Sequence, residues 1–282
     1  MENVQLKALR VRLESVAKKN IGKIVYSLFL TSILQSIFCY FLVFPLVKTA
    51  KNAGAGDMLF FLIFFAFSTI CLLFQFGLQT MLLRMTRSEF VTLGFLFFGI
   101  KKPRLSLPVI LPMAALLTFF LALTRFFWFR FAIFYFPAPK VDEDVFNLEI
   151  WKYAFFACFF AVLSILFVVL PFALTFLRRT DKPHNSALDS FLFSIKTLFP
   201  KKIGKLVLLA LSSSWKRLLI SFATLFIALG SAQSSKIVSM LFDFVYIINM
   251  MTAVAKISLS SPILYDSLTN KNNTGRILFL EA

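Results

Sequence analysis

Charged side chains inside apolar runs are the residues of this chain best placed to do chemistry. Lys216 and Arg217 lie midway along an apolar run of membrane length, and Asp243 lies early in the next run. A charged group costs free energy inside a lipid bilayer, so such residues are the first candidates for a functional site. The sharper hypothesis pairs Lys216 or Arg217 with Asp243 on a path for a solute or a proton.

A structural interpretation of the same residues competes with this one. By the rise of an α-helix, Lys216 lies about 15 Å from the start of its apolar run. Asp243 lies about 9 Å from the start of the next run, which is on the opposite side of the membrane. The two depths agree poorly. The charges could form a purely structural ion pair. Alternatively, the span could begin near Leu218, after an interfacial or half-inserted helix over Ile203–Trp215.

Enzyme motifs are missing from the sequence. The single histidine, His184, has no second histidine or cysteine pair nearby, which disfavours a metal site. Ser212 and Lys216 have the spacing of a serine–lysine dyad on a helix, but an ordinary side-chain contact explains that spacing equally well. No string typical of a hydrolase, a zinc protease or a phosphate-binding loop occurs. The sequence therefore predicts neither an enzyme nor a cofactor.

The composition places these residues in a membrane protein. The chain has 282 residues, of which 59% are hydrophobic, whereas soluble proteins are about 45–50% apolar. The excess occurs in runs near the roughly 20 residues that a helix needs to cross a bilayer. The net charge of +17 is explained by lysines and arginines flanking the spans, so nucleic acid is not an expected partner.

We predict an all-α fold, with residues 1–282 forming a single integral membrane domain of six transmembrane helices. The predicted spans cover residues 24–47, 58–83, 108–128, 151–177, 206–229 and 237–257. Residues 1–23 form an amphipathic pattern, with Leu6, Leu9 and Leu13 on one stripe. This pattern favours a helix lying in the membrane interface, although a solvated or core-packed helix would show it too. Further amphipathic helices are predicted on the cytoplasmic face, including one that Asn185 or Ser186 would cap.

The distribution of basic residues predicts the orientation. With a cytoplasmic N-terminus and alternating spans, the inner segments carry lysine and arginine in roughly a three-to-one excess over the outer ones. Both termini are therefore predicted to be cytoplasmic. Three basic strings on that face each precede an apolar run, and their lysines are expected to contact anionic headgroups. These are the pairs Lys18 and Lys19, Lys101 and Lys102, and Lys201 and Lys202.

Several weak motifs resemble one family. They are the helix Ala187–Phe199 with Ser194, the Lys-Lys-x-Gly-Lys-Leu run ending at Ser212, Trp215, Ser261-Pro262 with Tyr265, and Gly99 with Lys101 and Lys102. Together they resemble an uncharacterised bacterial family of six-span integral membrane proteins, domain of unknown function 975. The resemblance covers about residues 75–268. It implies six helices in a bacterial inner membrane and no assigned activity.

Two classes of function remain in competition. The first is a non-catalytic membrane protein that acts as a partner, a scaffold or a lipid-organising component. The lack of a catalytic constellation favours it, and its partners would be anionic lipid and another membrane protein. The alternative is a small transporter or channel that uses Lys216, Arg217 and Asp243.

Overall fold

The computed structural model describes residues 2–38, 40–41, 57–135, 156, 172, 174–198, 202–231 and 236–269. All regular elements in these ranges are helical, as predicted. In chain order they are α1 (Glu2–Phe38), α2 (Asp57–Thr86), a 3₁₀ helix (Leu93–Phe97), α3 (Phe98–Lys101), α4 (Pro103–Tyr135), α5 (Thr175–Asp181), α6 (Ala187–Leu198), α7 (Ile203–Ser231) and α8 (Lys236–Thr269).

Five of the described helices are long and apolar enough to cross a bilayer. Their membrane-length segments are Leu6–Phe38, Phe61–Thr86, Pro103–Thr124, Ile203–Thr224 and Phe244–Thr269. The predicted spans over 58–83, 108–128, 206–229 and 237–257 lie within α2, α4, α7 and α8. The predicted span over 151–177 falls almost entirely outside the described residues, so six spans are not confirmed.

The separate interfacial helix predicted over residues 1–23 is not confirmed. The structure has one helix, α1, that continues without a break from Glu2 to Phe38. Leu13, Ala17 and Ile24 on this helix are buried in a core cluster with residues of α2 and α8. The core-packed alternative therefore describes this segment, because its apolar stripe faces other helices.

The segment after α2 folds back onto that helix. A Cβ atom on Gly77 would lie 2.1 Å from the carbonyl oxygen of Leu96, and one on Gly99 would lie 2.5 Å from the carbonyl oxygen of Leu73. Only glycine permits such close backbone approach. The chain reverses at Ser88, which has φ 58° and follows the end of α2. The segment Leu93–Lys101 is therefore packed directly against α2.

The helix ends gather at what we call the basic end of the molecule. Arg12 of α1 reaches the carbonyl oxygen of Thr86 at 3.3 Å, whereas Gln35 reaches that of Cys71 at 3.0 Å, so α1 runs antiparallel to α2. Leu198, Leu206 and Leu264 share a core cluster that joins α6, the start of α7 and the end of α8. The exposed cations of this end include Lys18, Lys19, Lys101, Lys102, Arg104 and Lys182.

Two predicted helix boundaries have different outcomes. The Ser186 hydroxyl accepts a hydrogen bond from the Asp189 N–H at 2.9 Å, which confirms Ser186 as the cap of α6. The last helix extends beyond the predicted span of 237–257, because α8 continues through Pro262 to Thr269. Leu259 and Ile263 in this extension are fully buried, and their packing offsets the backbone hydrogen bond that a proline removes.

Candidate functional site

Five side chains from four parts of the chain form a polar cluster at the basic end. They are Arg12 on α1, Arg87 just after α2, Asp181 at the end of α5, and Tyr265 and Asp266 on α8. Arg87 lies at the centre: its Nε donates to Asp266 Oδ1 at 2.9 Å and its Nη1 donates to Asp181 Oδ1 at 2.6 Å. Arg12 Nη2 donates to Asp266 Oδ2, and the Tyr265 hydroxyl donates to Asp181 Oδ2 at 2.9 Å.

The cluster is largely shielded from water. The Asp266 side chain is 3% exposed, and those of Asp181 and Arg87 are 19% and 23% exposed. A buried carboxylate is tolerated only when it is paired and hydrogen-bonded. Each oxygen of both carboxylates has such a donor, so the cluster ties together α1, α2, α5 and α8.

The electrostatics favour the charged forms of Asp181 and Arg87. Burial alone raises the pKa of the Asp181 carboxyl, but hydrogen bonds from Arg87 and Tyr265 and the positive charge of Arg87 outweigh burial and hold that pKa below its ordinary value. Burial alone would lower the pKa of Arg87. The hydrogen bonds and negative charges of Asp181 and Asp266 outweigh burial, so the pKa of Arg87 is raised. The ion pair of Arg87 and Asp181 is therefore fully formed at neutral pH.

A pH dependence of stability follows from Asp181. Because its pKa is lower in the folded than in the unfolded protein, its contribution is complete above about pH 4 and is lost as the pH falls through the folded-state pKa. We expect the free energy of unfolding to decrease between neutral pH and about pH 3, and to decrease less in Asp181→Asn. Denaturant unfolding in micelles at both pH values measures this. The control Asp189→Asn, at an exposed carboxylate, should retain the wild-type acid sensitivity. An unchanged acid loss in Asp181→Asn would contradict the assignment.

A cavity of about 520 Å³ adjoins the cluster. Its lining includes Arg87, Arg178, Asp181, Lys182 and Thr269. The Arg178 guanidinium carbon lies 4.3 Å from the ring centroid of Phe193, and its buried Nε has no hydrogen-bond partner among the described residues. The lining therefore carries more positive than negative charge.

The geometry of the cluster is that of a structural clamp. General acid–base catalysis requires a group that can exchange a proton near the working pH. Asp181 is instead held as a carboxylate by Arg87, and Asp266 accepts hydrogen bonds from two arginine side chains. Within the described ranges, no three histidine, cysteine, aspartate or glutamate side chains come together as metal ligands.

The residues predicted as an intramembrane site are distributed differently. Arg217 Nη1 donates to Asn249 Oδ1 at 2.8 Å, and Lys216 Nζ lies 5.9 Å from the ring centroid of Trp215. Asp243 lies on α8, six residues before Asn249, and its side chain is outside the described part of the structure. The predicted pairing with Asp243 therefore stays a prediction. Helix α7 is continuous through this region.

Four of the six lysines predicted to contact headgroups are exposed at the basic end: Lys18, Lys19, Lys101 and Lys102. Lys202 is half-buried there, and Lys201 lies outside the described residues. Sequence reasoning missed the polar cluster. The available signal was the spacing of Leu259, Ile263 and Asp266, which puts an acid on the apolar stripe of a helix.

No protein-family model matches this chain, and no similar protein was found among curated proteins or among solved structures. The resemblance to the bacterial six-span family stays a prediction.

Proposed function

We propose that this chain is a non-catalytic, multi-pass membrane protein whose basic end binds anionic lipid and organises lipid, or a partner membrane protein, at that face. The observation that carries the proposal is the imbalance of charge there. Each carboxylate whose side chain is described already has a partner. Asp181 and Asp266 lie in the clamp, Glu14 and Glu89 pair with Arg10 and Arg84, and Asp189 accepts a hydrogen bond from the Ser186 N–H.

Among the described residues, the exposed cations of the basic end therefore form a surface that attracts anions. Lys101 and Lys102 immediately precede the apolar segment Pro103–Thr124, and basic residues that flank a membrane span are expected at the headgroups. Each lysine or arginine near an anionic membrane surface contributes about 1 kcal/mol of attraction. Anionic phospholipid is the partner that a membrane offers to such a surface.

The proposal includes six crossings, with both termini in the cytoplasm of a bacterial cell. Phe156 lies beside Phe127 of α4, with ring centroids 5.3 Å apart, and Phe172 belongs to the core cluster of Val109 and Ile110 near the start of α4. Phe156 and Phe172 therefore lie beside opposite parts of α4. This supports a crossing between α4 and α5, and the excess of basic residues supports the orientation.

The lipid preference can be measured directly. The purified protein, exposed to an equimolar mixture of phosphatidylglycerol and phosphatidylcholine in micelles, should retain the anionic lipid with about tenfold enrichment, the effect of one to two interfacial cations. Native mass spectrometry counts the retained lipids. High salt should reduce the enrichment, because it screens exposed charges. Equal retention of both lipids at low salt would refute the proposal.

One observation favours the alternative of a small transporter or channel. The pair of Arg217 and Asn249 lies well inside the apolar parts of α7 and α8, where ionisable residues commonly mark a transport path. Measurement of solute or proton flux through proteoliposomes distinguishes the two functions. A flux that Arg217→Gln and Lys216→Gln both abolish would favour transport. Such a flux would also argue against the non-catalytic proposal.

A further inference from the structure

A second cavity lies at the start of α4, on the outside of the basic end. Its volume is about 480 Å³, and its lining contains four cations, Lys101, Lys102, Arg104 and Arg179. No acidic residue lines it among the described residues. Four positive charges around one cavity repel each other, so this arrangement favours occupation by an anion.

Arg179 is held in place within this cavity. Its Nε donates to the carbonyl oxygen of Leu105 at 3.2 Å, and its Nη1 donates to the carbonyl oxygens of Pro183, at 3.1 Å, and of Asn185. These partners are neutral, so they orient the guanidinium group and leave its charge uncompensated. A pre-oriented arginine loses little side-chain entropy when it binds a phosphate.

An apolar stripe continues from the cavity along α4. Pro108, Leu111, Ala115 and Phe119 are exposed at intervals of three to four residues, which places them on one face of the helix below Arg104. Leu111 and Phe119 are 41% and 55% exposed. The stripe from Arg104 to Phe119 extends about 22 Å, which exceeds half of the roughly 30 Å hydrocarbon core of a bilayer.

We infer that this cavity is a binding site for one anionic phospholipid, with the phosphate among Lys101, Lys102, Arg104 and Arg179 and an acyl chain along the apolar stripe. This inference rests on the proposed function, which requires bound anionic lipid. It assigns the site at which that lipid binds. Arginine and lysine are the usual phosphate ligands in proteins. The stripe distinguishes a lipid from a free phosphate, because only a lipid covers both surfaces.

A matched pair of variants tests the site in the full-length protein. The cavity variant is Lys101→Gln/Lys102→Gln/Arg104→Gln. The control variant is Lys7→Gln/Lys23→Gln/Lys196→Gln, which removes the same charge from exposed positions of α1 and α6 outside the cavity. We expect the cavity variant to bind phosphatidylglycerol about tenfold more weakly, which removes the preference over phosphatidylcholine. The control variant should retain its tightly bound lipid.

Two further measurements define the ligand. Phe119→Ala, a change at an exposed position, should also weaken binding of phosphatidylglycerol, and a large excess of free glycerol phosphate should not displace it. Displacement by glycerol phosphate would show a site for soluble anions and would overturn the inference. Equal weakening in the two triple variants would also overturn it, because it would show a diffuse charge effect.

The failure of this inference can be distinguished from failure of the proposed function. If the cavity variant keeps its preference for phosphatidylglycerol over phosphatidylcholine, the assignment of the cavity is wrong and the proposed function still stands. The absence of any preference in the wild-type protein overturns both.

Discussion

Replacing Asp266 with asparagine is expected to lower the free energy of unfolding by about 3 kcal/mol or more. Asp266 is a buried carboxylate that accepts hydrogen bonds from Arg12 and Arg87. The asparagine keeps the shape of the side chain but removes its charge. Two partly buried guanidinium groups then lose a shared counter-ion. Denaturant unfolding in mixed micelles, followed by circular dichroism, measures the loss.

The control for this variant is an exposed ion pair on the same protein. Arg10 and Glu14 lie one turn apart on α1, at 3.2 Å, with Glu14 48% exposed. Glu14→Gln should therefore change stability by less than about 0.5 kcal/mol. The double variant Arg12→Gln/Asp266→Asn should lose less than the sum of its single changes, because the two residues interact. Additive losses, or an Asp266→Asn loss as small as that of the control, would contradict the role of the clamp.

Gly77→Ala is the second change with a large expected effect, a loss of about 3 kcal/mol in the free energy of unfolding. The added methyl group would lie 2.1 Å from the Leu96 carbonyl oxygen. This neighbour is backbone, so the whole segment Leu93–Lys101 would have to move away from α2. The same unfolding measurement applies, and the core cluster that contains Leu96 should loosen with it.

Gly22→Ala provides a matched comparison because the chemical change is identical. Gly22 lies in α1, and a Cβ atom there meets nothing within 4 Å. Alanine is a better helix former than glycine, so this variant should gain about 0.5 kcal/mol. The two substitutions are thus expected to change stability in opposite directions. Losses of similar size at both positions would show that Gly77 is not a site of close backbone contact.

The spans and one cap were predictable because their causes are local. An apolar run of sufficient length favours a membrane helix wherever it occurs, and α2, α4 and α7 follow this rule. Ser186 caps α6 through an atom three residues away, which a short sequence window contains. Both kinds of feature depend on neighbours along the chain.

The polar cluster could not be predicted in the same way. Arg87 lies 94 residues from Asp181 and 179 residues from Asp266, so no spacing in the sequence relates them. The last predicted span ended at residue 257, so the sequence did not place Asp266 on a helix. Burial of Leu259 and Ile263 against other helices decides that the segment is helical, and such burial depends on the whole fold.

The predicted pairing of Arg217 with Asp243 stays a prediction. An arginine inside an apolar helix needs a polar neighbour, and the structure provides the amide of Asn249. Asn249 lies 32 residues from Arg217 in the sequence, so this contact depends on the register between α7 and α8.

The contact between Arg12 and Asp266 also has a consequence for biosynthesis. The two residues are separated by 254 positions, so Arg12 gains this carboxylate only after α8 has been synthesised. Contacts of such long range form late and slowly. During synthesis, α1 therefore carries an arginine whose buried counter-ion does not yet exist.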